Sequence, residues 1–133
     1  MKRPDCSNLT SARAWRILLA IVAFALAGVA QAHHGWRWTD DGDFSLTGTV
    51  RIAQLGNPHG VLTMDVNGET WIAEVGQPWR NQRAGLTDAM LVKGVELTIV
   101  GKRAADAADR KVKAERVIIK GQNYDLYPER LSD

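Results

Sequence analysis

Cysteine is almost missing from this chain: the 133 residues contain one, Cys6, so no intramolecular disulfide can form. Serine is nearly as scarce beyond residue 32, where only Ser45 and Ser132 occur. One lies within an alternating apolar stretch and the other at the extreme end, and neither has the strand-to-helix elbow of a catalytic nucleophile. Glycine-rich phosphate loops, CxxC and HExxH motifs are absent too. Asp65 and Glu74 fall on neighbouring predicted strands, where exposed carboxylates are the default. No catalytic constellation emerges, and an enzyme is not expected.

A membrane-length apolar run is also lacking. Ile17 to Val29 is uninterrupted for thirteen residues, short of the roughly 20 a spanning helix needs. Lys2, Arg3, Arg13 and Arg16 precede it, and Ala30-Gln31-Ala32 follows with small residues at positions −3 and −1 of a signal-peptidase cut. Residues 1–32 therefore read as a cleaved signal peptide and 33–133 as one exported, periplasmic domain with no membrane attachment after cleavage. An uncleaved N-terminal anchor is the competing reading, disfavoured by the brevity of the run. A lipoprotein is disfavoured because Cys6 lies before the run instead of at the cut.

Excess positive charge disappears with the leader. Removing residues 1–32 takes away four of the 17 basic residues and one of the 15 acidic ones, which leaves 13 against 14. A nucleic-acid partner thus has no support in the charge. About a hundred residues without cysteine must be held by a single core.

What remains is patterned. Phe44, Leu46, Val50 and Ile52 alternate with Ser45, Thr47, Thr49 and Arg51, the signature of a half-buried strand. Gly56-Asn57-Pro58-His59-Gly60 breaks the chain with turn residues. Leu62, Met64 and Val66 alternate again, Asn67-Gly68 marks a hairpin, and Trp71, Ala73 and Val75 return. Pro78 opens a helix-compatible stretch that Gly85 ends, and Thr87-Asp88 caps a further short turn. Val95, Leu97 and Ile99 predict a fourth strand, and Val112 to Ile119 a fifth after a charged loop. The apolar run Val117-Ile118-Ile119 suggests cover on both faces, by the tail or a partner. Tyr124, Leu126, Tyr127 and Pro128 look like a C-terminal tail that docks on the barrel.

The order β-β-β-α-β-β predicts a mostly β fold, a small five-stranded OB-like barrel with a short helix between strands 3 and 4. A simple antiparallel sheet carrying one helix is the alternative. Packing is the better explanation for Trp36, Trp38, Trp71 and Trp79 than sugar stacking.

Ala-His-His-Gly-Trp-Arg-Trp (32–38), Leu-Thr-Gly-Thr-Val (46–50), Gly-Asn-Pro-His-Gly (56–60), Arg-Ala-Gly-Leu (83–86) and Tyr-Asp-Leu-Tyr-Pro-Glu-Arg (124–130) together resemble a family of small exported bacterial proteins of unknown function. That family typically starts its mature chain with His-His and carries Asn-Pro-His after its first strand. The resemblance implies an exported single domain and brings no activity with it.

The remaining chemistry is nitrogen ligation. Cleavage after Ala32 leaves His33 with a free α-amine beside its imidazole, a ready chelate for one metal ion. His34 or His59 can supply a third nitrogen, and an all-nitrogen set suits copper, as Cu(II), best. The amine has an ordinary pKa of about 7.7–8.0, so a metal displaces its proton at modest cost. Trp36 and Trp38 can anchor this segment, whereas Asp40, Asp41 and Asp43 read as solvated. Arg80 and Arg83 share a helical face and are candidate anion ligands. Two functions follow: a periplasmic copper-binding domain using His33, His34 and His59, or a metal-free module that binds a periplasmic partner through its loops and strand face.

Overall fold

In the computed structural model the described residues are 35–132; the expected leader, its cleavage junction, His33, His34 and Asp133 lie outside them. The chain separates into two compact units, Met1–Arg37 and Trp38–Asp133. The first retains only residues 35–37 among those described, and the second carries the fold.

Alternation and turn chemistry produce six strands: β1 (Phe44–Gln54), β2 (Val61–Val66), β3 (Glu69–Glu74), β4 (Glu96–Arg103), β5 (Lys111–Ile119) and β6 (Gln122–Asp125). β1 pairs antiparallel with β2 and β4, β2 with β3, and β5 with β4 and β6. A short parallel ladder between β3 and β5 (Ile72↔Lys111, Ala73↔Val112, Glu74↔Lys113) closes the sheet into a five-stranded barrel. This closed ring has the predicted OB-like order, and β6 is an addition outside it. Val50, Leu62, Met64, Ala73, Ile99, Val112 and Val117 are fully buried and form the apolar core.

Turn residues do what their types allow. Asn67 and Gly68 both have positive φ (53° and 86°), the requirement of a two-residue hairpin whose twist matches its strands. The helix α1 (Pro78–Arg83) begins at proline, whose missing N–H would be unpaired there anyway. It ends where the Gly85 N–H donates to Gln82 O and the Leu86 N–H donates to Asn81 O, at 3.0 and 2.9 Å. That pair satisfies carbonyls the last turn leaves open. Leu86 and Leu91, in the connection onward to β4, are buried with the core.

Two bulges change the expected faces. The β1–β2 register slips between Val50 and Ile52, which reverses side-chain parity, so Ile52 is 56% exposed instead of sharing the inward face of Leu46 and Val50. In β5 the register slips opposite Val100 and Gly101, and Glu115 is the extra residue. Its carbonyl, freed from the β4 ladder, accepts the N–H groups of Leu126 and Tyr127 at 2.9 and 3.0 Å. The bulge is thereby the dock for the C-terminal segment, and Leu126 and Tyr127 are buried on it.

Candidate functional site

His59 is the one histidine among the described residues, in the loop that joins β1 to β2. The Asn57–Pro58 bond before it is cis. Beyond it the Gly60 N–H donates to Gly76 O at 3.2 Å, and the Val75 N–H donates back to Gly60 O at 2.9 Å. This reciprocal pair straps the loop to the end of β3. A Cβ on Gly60 would stand 2.6 Å from Val75 Cγ2 and 3.0 Å from Leu55 Cδ2, so any larger residue would force these side chains to shift. The loop consequently delivers a half-buried His59 to the edge of the β3–β5 junction.

The parallel register sets Glu74 opposite Lys113 there. Glu74 accepts from Lys111 Nζ at 2.8 Å and from Lys113 Nζ at 3.4 Å. Lys113 is only 1% exposed, because the C-terminal segment covers this outer face of β5. Burial pushes the Glu74 carboxyl up, and the two lysines outweigh it and hold it below the ordinary carboxylate range. Burial also lowers the Lys113 ammonium, with Lys111 and Arg130 acting the same way and Glu74 opposing.

His59 feels this cluster. Burial lowers its pKa from 6.5, Lys113 lowers it further, and Glu74 opposes. The imidazole is therefore neutral at pH 7, and it makes no hydrogen bond among the described residues. It is an unprotonated, unengaged nitrogen donor. Among the described residues no three or more His, Cys, Asp or Glu side chains converge as a metal site.

Arg80 and Arg83 come together along a cleft of about 230 Å³, lined also by Asp125, Leu126, Pro128 and Glu129. Arg80 is occupied in structure. Its Nη1 donates to Leu126 O at 3.1 Å, Glu129 Oε1 is 3.4 Å away, and its guanidinium lies 4.1 Å from the Tyr127 ring. Arg83 is exposed. The acidic trio stays at the surface: Asp43 pairs with Lys102 at 2.7 Å, and that ammonium holds its carboxyl below the usual range. Trp38 packs under Lys111, whose Nζ is 4.1 Å from the ring centre.

The Glu74–Lys111–Lys113 cluster is what the sequence reading missed. Lys111, Lys113 and Glu115 alternate with apolar residues and look like a solvated strand face. The clue was the apolar pair Leu126-Tyr127, which needs a surface to cover.

A family model described as a family of unknown function (DUF6152) matches residues 20–113. No curated protein is significantly similar in sequence. Among solved structures, the ZRD-deleted mutant of TiaS in complex with agmatine is similar with a TM-score of 0.47 and 15% identity over 63% of this chain and 26% of that one. Apo TiaS, a tRNAIle2 agmatidine synthetase, gives 0.44 and 16% over 58% and 18%. The chain spans about a quarter or less of those structures' length.

Proposed function

Because this chain belongs to the family of unknown function DUF6152, which carries no activity with it, we propose from its own chemistry that it is an exported, periplasmic copper-binding domain. The ligands in this reading are the α-amine and imidazole of His33, with His34 and His59 as further imidazoles.

The observation that supports it is the state of His59: neutral, half-exposed and without a hydrogen bond among the described residues. An imidazole with an ordinary structural role donates or accepts within the fold. A protonated one must lose a proton before it can ligate. His59 is free of both demands. The parts of His33 and His34 rest on sequence chemistry, since cleavage after Ala32 creates the amine next to two imidazoles. Nitrogen ligands favour Cu(II) over the other divalent first-row ions.

Isothermal titration of Cu(II) into protein that starts at His33 tests the reading. Tight one-to-one binding is expected, and His59→Ala should weaken it roughly tenfold or more, about 1.4 kcal/mol. Weak binding that His59→Ala leaves unchanged contradicts it and favours the metal-free module.

A further inference from the structure

Trp79 did not join the core. It is 51% exposed, the only exposed large aromatic among the described residues. The indole is nevertheless fixed in place. Its Nε1 donates to Gln77 Oε1 at 2.9 Å, and the Arg80 guanidinium stacks 4.7 Å from the ring centre. Arg80 is itself held against Tyr127, 4.1 Å from that ring centre. The ring borders an open cleft of about 400 Å³ with Pro78, Gln82, Leu86, Thr87 and Asp88. Leu86 is buried there, whereas Gln82, Thr87 and Asp88 are exposed, and their side chains make no hydrogen bond or ion pair among the described residues.

We propose that this cleft is a binding site for a neutral polyhydroxylated ligand, a sugar in its pyranose form, stacked on Trp79. The chemistry selects that class by elimination. Arg80 already places a cation on the ring and draws on the quadrupole that a second cation would need. The Asp88 carboxylate at the rim repels an anion. A ligand with an apolar face for the indole and hydroxyls for Gln82, Thr87 and Asp88 meets every group present. An organised platform also spares the entropy of ordering a mobile aromatic upon binding. This site is separate from the copper reading and stands or falls without it.

The test is an NMR titration of 15N-labelled protein with maltotriose, cellotriose and tri-N-acetylchitotriose. The Trp79 indole N–H resonance is identified by its loss in Trp79→Phe. At least one sugar is expected to shift it saturably, with a Kd of about 1 mM. Trp79→Ala and the Gln82→Ala/Asp88→Ala double variant should each weaken binding about tenfold or more. Because all three positions are exposed, the rest of the spectrum should stay native. No shift with any of the three sugars overturns the proposal. So does saturation by tetramethylammonium or by inorganic phosphate in their place, or unchanged sugar affinity in Trp79→Ala.

Discussion

Removing the Glu74 carboxylate should cost far more than removing the ammonium it faces. Lys113 is 1% exposed and pairs with the Glu74 carboxylate 3.4 Å away. Glu74→Gln leaves that ammonium buried beside a neutral amide. Breaking a buried ion pair by removing one partner costs about 3–5 kcal/mol. The lower end, about 3 kcal/mol, applies here because the amide oxygen still accepts from Lys113 and Lys111 can turn to water. For a domain of roughly this size each 1 kcal/mol moves Tm by about 4–8 °C, so Glu74→Gln should melt at least about 12 °C lower. Lys113→Met keeps the aliphatic stem and removes the buried cation. Glu74 retains Lys111 at 2.8 Å, so this variant should lie within about 1 kcal/mol of the wild type. With the buried ammonium gone as well, the double variant should recover about 2 kcal/mol relative to the sum of the single effects. Urea unfolding followed by circular dichroism at pH 7 reads all four corners of the cycle. Equal costs for the two single variants, or costs that simply add, would refute the reasoning.

Other outcomes follow from the same geometry. The His59 imidazole should titrate below 6.5 by NMR, and Lys113→Met should raise its midpoint, since Lys113 lowers it in the fold. Because the unfolded chain takes up that proton first, the domain should lose stability as pH falls from about 6.5 until the folded imidazole is protonated too; a midpoint at or above 6.5 contradicts this. Gly60→Ala puts a Cβ 2.6 Å from Val75 Cγ2 and should cost about 1–3 kcal/mol in thermal unfolding through overpacking. Leu126→Ala removes a fully buried side chain from the docked C-terminal segment. A loss of about 3 kcal/mol is expected in urea unfolding; a loss under about 0.5 kcal/mol would mean the segment is not part of the fold.

The barrel was legible because its cues are local. Alternation along β2 and β3, Asn67-Gly68 between them, and Pro78 and Gly85 around α1 each depend on a few neighbouring residues. Ile52 was misplaced because a bulge depends on the partner strand, which periodicity within β1 does not contain. The burial of Lys113 and Glu115 was hidden for a related reason. Their strand looks polar on one face until residues 126–130 are folded over it. Trp79 was read as core because tryptophan usually is, yet it projects from α1 while Asn81 of the same helix is buried and donates to Gly76 O. At the candidate metal site, motif reading singled out His59 as a loop histidine. Its lowered pKa comes first from burial and then from Lys113, on a strand more than fifty residues away, and no sequence window joins the two.

The copper reading turns on the amine of His33. Two forms of the protein, one starting at His33 and one with a single added residue ahead of it, should be titrated with Cu(II) while tryptophan fluorescence is followed. Tight quenching is expected for the first form and binding at least about a hundredfold weaker for the second, since the addition moves the amine away from the imidazole. Equal affinity for the two forms would contradict it.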